Sequence, residues 1–320
     1  MEALQKRLEA LEQQTQELKH HTQAVERRLR WWRRMAYALG VLGVLALPLA
    51  SVKAQVGATL EQRVEQLEYK LAHVTSGPDD ITISGANLNI VNGLGATNTV
   101  NGLGNLIVGY QEHRLPPATN TRTGSHNVIV GRQHNFSSFG GLVVGQVNEI
   151  SGVWASVSGG LGNTATGPNA SVSGGVGNTA SGNGGSISGG SNNRASGPAA
   201  SVSGGNGNIA SGITASVSGG EFNTTSGAAS SISGGGFNTA SGSPDFIVAN
   251  SVSGGSNNIV TSPFASVSGG VSNTASGGYA SVTGGEGNTA SGNRSSVSGG
   301  ANRSASGGQN WAAGALFQPN

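Results

Sequence analysis

The spacing of apolar residues changes three times along the chain, and each change marks a different kind of element. Leu4, Leu8, Leu11, Thr15, Leu18, Thr22, Val25, Leu29 and Trp32 alternate four and three residues apart. A 3.5-residue period keeps one helical seam facing a partner helix and predicts a left-handed coiled coil over residues 1–34. From Met35 to Val52 the seam gives way to 18 residues without a charge, close to the roughly 20 apolar residues that cross a bilayer. Arg27, Arg28, Arg30, Arg33 and Arg34 precede this run, Trp31 and Trp32 suit the interface, and Lys53 follows it. Positive flanks stay cytoplasmic, so the coil is expected inside the cell and the residues after 55 outside. Val52-Lys53-Ala54 carries the small residues of a cleavage site. Residues 35–54 therefore read either as a transmembrane anchor, which the long coil ahead of them favours, or as a signal peptide cut before Gln55. Leu60, Val64, Leu67, Leu71 and Val74 resume the 4-3 spacing and predict a short coiled-coil neck over residues 55–76, ended by Ser76-Gly77-Pro78-Asp79.

Beyond the neck the period falls to two. Ile81-Thr82-Ile83, Leu88-Asn89-Ile90, Leu106-Ile107-Val108, Val128-Ile129-Val130 and Leu142-Val143-Val144 read as short strands punctuated by Asn and Gly. They predict irregular early β-coils over 77–155, with Gln111 to Ser125, which contains Pro116-Pro117, as a surface loop. From 156 to 310 a unit of consensus S-V-S-G-G-x-x-N-T-A-S-G-x-x-A recurs, starting at 156, 171, 186, 201, 216, 231, 251, 266, 281 and 296. The single 20-residue spacing falls around Ser243 to Ile247. The frame extends back to a copy starting at Gly141 and forward to Trp311, with 311–320 as a cap. A strict period of this length predicts a solenoid rather than a flexible linker.

Each coil then holds two short strands, V-S-G and T-A-S, joined by glycine turns. Alternation places positions 2 and 4 inward on the first strand and position 10 inward on the second, giving an interior of Val, Gly and Ala. Position 8 is Asn163, Asn178, Asn193, Asn208, Asn223, Asn238, Asn258, Asn273 and Asn288, and stacked asparagines are expected to hydrogen-bond as a ladder. One valine and one alanine per coil bury little against an ordering cost of about 1–2 kcal/mol per residue. Further burial against sister chains is expected, which predicts a homo-oligomer, most simply a homotrimer.

Charge and chemistry narrow the function. Of 17 basic and 15 acidic residues, 19 lie in the first 75 positions. Between 156 and 310 only Arg194, Arg294 and Arg303 are basic, offset by Glu221, Asp245 and Glu286, so no phosphate-binding surface and no nucleic-acid partner are expected. With 0 cysteines there are no disulfides or thiolate metal sites. Asp79, Asp80 and Asp245 are too few for a calcium-binding repeat array. The serines lack a paired His and Asp, and Gly93-Leu94-Gly95 opens no helix to cradle a phosphate. His126 and His134 fall where neighbouring coils could bring two imidazoles together, although hydrogen-bonded loop histidines are the simpler reading. No catalytic residue, metal or cofactor is expected.

The Ser-Val start, Gly at position 5, Ala at 10, Gly at 12 and Ala at 15 — in one copy Ser266, Val267, Gly270, Ala275, Gly277 and Ala280 — resemble the head repeats of trimeric autotransporter adhesins. Asn127 to Gly131 is closer still to the apolar form of that family. Two departures are Gly for an inward Ile at position 4 and Asn for Ser at position 8. The resemblance covers about residues 80–310 and implies a left-handed parallel β-roll, three chains to an assembly, on a coiled-coil stalk. The tail after Asn310 is too short for that family's C-terminal barrel, so a shared export logic would place the anchor in residues 35–52. The run from Gly85 to Gly109 also looks like bacterial exported proteins with S-V-S-G-G arrays.

The expected function is a surface-exposed, adhesin-like or structural rod that attaches to a cell surface, matrix or glycan through repeated weak contacts. Positions 13 and 14 vary most, making Ile213, Thr214, Phe264 and Tyr279 the candidate contacts. Two alternatives stand beside it. Stacked Thr164, Thr179, Thr224, Thr239, Thr274 and Thr289 suggest a binder of ice or crystalline polysaccharide, against which Arg194, Ile209 and Ile259 interrupt the file. A passive spacer or assembly scaffold is the other.

Overall fold

The computed structural model of the chain describes residues 22–31, 60–242 and 249–313, in two units, Met1–Leu88 and Asn89–Asn320. In the first unit residues 22–31 are helical. A second helix, Leu60–Lys70, precedes an antiparallel hairpin of Val74–Ser76 with Ile81–Ile83. The hairpin turn is closed by Gly77 N–H, which donates to Asp80 O at 2.9 Å. Val74, the last seam position of the expected neck, therefore lies in a strand. The β-branched pair Val74-Thr75 followed by Gly77-Pro78 favours a hairpin over another helical turn. Val64, Leu67 and Leu71 are exposed, Leu67 at 56%. The expected transmembrane or signal segment at 35–54, and most of the N-terminal coil, lie outside the described residues. Among the described residues no helix is long and apolar enough to cross a membrane.

The second unit is a parallel β-solenoid. One sheet stacks 14 strands from Leu106–Val108 to Trp311–Ala312, and another stacks 12 from Asn135–Phe136 to Ser304–Ala305. A third column of single bridges runs through position 6, from Gln146 and Leu161 to Ala301. Like pairs with like: Val172 with Ile187, and Ala180 with Ala195. Both sheets keep register across the 20-residue coil, Ser231 pairing with Ser251 and Thr239 with Ile259. Leu88-Asn89-Ile90 forms no strand. The chain there makes Asn-Gly turns, in which Asn92 and Asn101 accept through Oδ1 from the N–H groups of Leu94 and Leu103 at 3.0 Å each.

The interior differs from simple alternation. Val or Ile at position 2 and Ala at positions 10 and 15 are buried, as is Asn at position 8. Position 4 faces out: at Gly174, Gly204 and Gly219 an added Cβ would meet nothing within 4 Å. The strand is only two residues long, so the pleat ends before position 4 and the turn takes over. Position 5 makes that turn, with Gly220 at φ 85° and room for a Cβ denied by Gly235 O at 2.1 Å.

The two coils before residue 156 are one residue shorter, while the first, from Leu106 to Val128, spans 22 residues. Leu142 pairs with Ser156 and Val128 with Leu142, a step of 14, whereas Gln146 bridges Leu161, a step of 15. The copy preceding 156 therefore begins at Leu142, not Gly141. Ser158-Gly159 occupies the place of Val144 alone, and the regular repeat absorbs the added residue by pushing its position-4 glycine outward.

Candidate functional surfaces

The asparagine column holds the glycine corners of the coils from Asn148 to Asn288. Asn208 Oδ1 accepts from the backbone N–H of Asn223 at 3.0 Å. Its Nδ2 donates to Gly204 O and to Gly220 O, both at 2.9 Å. The same three bonds recur from Asn163 to Asn288. These bonds run from side chain to backbone. Only Asn273 Nδ2 also reaches a neighbouring carboxamide, Asn258 Oδ1, at 3.1 Å. The column thus supplies partners to turn groups that no strand can satisfy.

His134 takes the rung before Asn148 and was not recognisable as such from sequence; its own backbone N–H donates to Gln111 Oε1 at 3.1 Å, one coil earlier. Asn148 N–H donates to its Nδ1 at 3.2 Å, and its Nε2 lies 3.0 Å from Val130 O. An acceptor at Nδ1 leaves the proton on Nε2, which donates to that carbonyl. The ring thus reproduces the acceptor and one donor of an asparagine. Burial pushes the imidazole pKa below its ordinary value, against the pull of its backbone hydrogen bonds, and Arg114 adds to the lowering. The signal was available: His134 stands 14 residues before Asn148, the step of the early coils. His126 is engaged elsewhere, its Nδ1 at 3.0 Å from Thr97 O and its Nε2 accepting from Asn92 N–H at 3.2 Å. Each imidazole thus serves a separate structural contact.

The loop expected over 111–125 is tied down by two arginines. Arg114 donates to Gln133 O at 2.8 Å, Val147 O at 2.7 Å and Asn148 O at 3.0 Å, and its Nη1 lies 3.5 Å from Glu149 Oε2. Arg122 donates to Gln111 O and Glu112 O at 2.5 and 2.6 Å. Among the described residues no group of three or more His, Asp or Glu side chains is placed to hold a metal ion.

The outward positions form files along the solenoid. Ile213 and Thr214 are exposed, Thr214 at φ 53°. Phe264 and Tyr279 stack at 5.0 Å between centroids, with the Arg294 guanidinium 5.7 Å from the Tyr279 ring. Phe222 and Phe237 stack at 5.3 Å on the position-7 corner. Each pair covers one face of each ring, and the rings remain about half exposed. The position-9 threonines form one file in which Arg194, Ile209 and Ile259 take their register places.

No family model matches the sequence, and no curated protein matches it. Its class rests on the fold: a parallel β-solenoid repeat protein with a buried asparagine column.

Proposed function

We propose that the chain is a surface-exposed, adhesin-like or structural rod that acts as a homotrimer and attaches to a cell surface, matrix or glycan through many weak contacts. In this reading the solenoid is a left-handed β-roll of the adhesin-head type, residues 55–76 lead into it as a neck, and residues 35–52 anchor it to the membrane. The supporting observation is the constancy of register: each outward position recurs once per coil, about 4.8 Å apart. A ligand held by one coil therefore meets an equivalent position on the next, and linked weak sites gain avidity.

Deletion of residues 156–310 from the full chain on its native cells tests this reading. Attachment to matrix or to other cells should fall at least tenfold while the surface level of the remaining protein is unchanged. Attachment equal to that of the intact chain refutes it. The lattice-binding reading draws support from the hydroxyl file, whose longest uninterrupted runs are two threonines, such as Thr274 and Thr289. Thermal hysteresis by the purified chain would favour it over adhesion.

A further inference from the structure

The outer face of the 14-stranded sheet is under a constraint that the single chain does not impose. The ten regular repeats act as an internal alignment. Outward positions elsewhere mostly vary: position 6 includes Leu161, Asn206, Glu221 and Ala301, and position 14 includes Asn169, Phe264 and Arg294. Position 11, beside the second sheet, is the exception, Ser in eight copies and Thr in two, and there Ser211 Oγ donates to Thr225 O within the chain. On this face position 1 is Ser in all ten copies, position 3 is Ser in nine and Thr283 in one, and position 4 is Gly in all ten. Position-3 residues such as Ser218 are exposed. Position-4 glycines have open space where a Cβ would go, apart from an ordinary contact of Gly159 with Ser173 O at 3.7 Å, and only Gly299 among them has a φ in the positive range. Position-1 serines are half-buried, and Ser281 Oγ donates to Ser296 Oγ at 3.2 Å; at positions 3 and 4 neither packing nor backbone conformation within the chain requires the uniformity.

Two further observations concern the same face. In its first three coils Leu106, Val108, Val128, Val130, Leu142 and Val144 occupy the outward places, with Val108 53% exposed. No ionisable side chain stands at positions 1, 3 or 4 in any coil; exposed Arg132 ends one strand of this sheet in the position-6 register, and the remaining faces carry Glu149, Arg194, Glu221, Glu286 and Arg294. Exclusion of charge, apolar residues at one end and small residues along the remainder describe a surface that another surface approaches closely. With 14 strands spaced about 4.8 Å and roughly three residues across, the face measures about 62 by 10 Å, on the order of 600 Å². A standard interface uses roughly 800 Å² a side.

The geometry points to a second copy of this chain as the occupant, packed by the same face. The exposed heptad seam of Val64, Leu67 and Leu71 suits a parallel helix of equal period, and so another copy in register. In-register copies present each coil to its own equivalent, which would hold position 4 at Gly in every coil and keep charges away. The inference rests on the oligomeric reading above and names its contact face.

The chain has no cysteine, so single-thiol variants of the full chain report the face directly. Ser218→Cys places a thiol on it, and Ile209→Cys places one on the second sheet. Both native residues are exposed in the isolated chain. Maleimide labelling of Ser218→Cys should be at least tenfold slower than that of Ile209→Cys. Adding Gly204→Arg and Gly234→Arg should abolish the difference, and circular dichroism should be unchanged because both sites are sterically open. Equal labelling rates in a chain whose mass by light scattering is oligomeric overturn the face and leave the oligomer standing. A monomeric mass overturns both; if Ser218→Cys is nonetheless protected in that monomer, the chain's own residues cover the face.

Discussion

Replacing Asn208 by Ala tests whether the buried asparagine column holds the solenoid. The substitution leaves Asn223 N–H and Gly204 O without protein partners, whereas Gly220 O keeps its bond from Asn206 N–H at 2.9 Å. Each orphaned buried group costs about 1–3 kcal/mol, so two cost about 2–6 kcal/mol. Gly204 is half-exposed and water can reach its carbonyl, which brings the expectation to about 3 kcal/mol. Coils in such arrays couple chiefly to their neighbours, so the loss should concentrate in the coils that contain residues 193–230. Amide hydrogen exchange followed by mass spectrometry resolves this: protection there should fall about a hundredfold, with residues 281–297 little changed. Asn208→Asp keeps the shape but removes the Nδ2 donors and sets a carboxylate against two carbonyls, and should lose more. Asn192→Gly, which removes an exposed carboxamide bonded to Ser191 Oγ and relieves a positive φ, sets the baseline. If Asn208→Ala lowers protection no more than Asn192→Gly does, the column is not what secures the corners.

The adjacent glycines of one repeat should respond oppositely. Gly219→Ala should leave single-chain stability within about 0.5 kcal/mol, whereas Gly220→Ala, at φ 85° with Gly235 O at 2.1 Å from the new Cβ, should cost about 2 kcal/mol or more by denaturant titration. His134 has a folded pKa below its usual 6.5, so the unfolded chain binds the extra proton. Its contribution to stability is present above about 6.5 and declines as pH falls through that value toward the lower folded pKa. Amide protection at residues 128–150, taken relative to the intrinsic exchange rate at each pH, should therefore fall at pH 5.5 relative to 7.5 in the native chain and stay level in His134→Asn, which restores a neutral rung. Arg114→Ala removes the donors to Gln133 O, Val147 O and Asn148 O and should speed proteolysis within residues 111–121 at least tenfold; an unchanged rate would show that the arginine does not tie the loop.

The repeat frame, the inward places of Val172 and Ala180 and the recurrence of the position-8 asparagines were legible in the sequence, because each is a local regularity carried through nine or ten copies. The outward turn of Gly174 was not. Alternation assumes a strand that continues through position 4, while the observed strand is Ser171–Val172 alone, and its length is set by the turn at Gly175. The step from 14 to 15 residues escaped detection because Gly145, Asn148 and Gly152 fit a 15-residue frame in sequence, and only the pairing of Leu142 with Ser156 exposes the shorter coil. His134 was hidden by its side-chain type, since an imidazole matches a carboxamide only in the geometry of its donor and acceptor.

The chain alone determined that it stacks, how often it repeats and which residues recur, since periodicity is a property of one dimension. Tertiary structure decided which recurring residues face in, what the asparagines bond to and where the surface stays free of charge. Those outcomes depend on how a coil closes against the next one, and closure is set by backbone groups that carry no mark in the sequence.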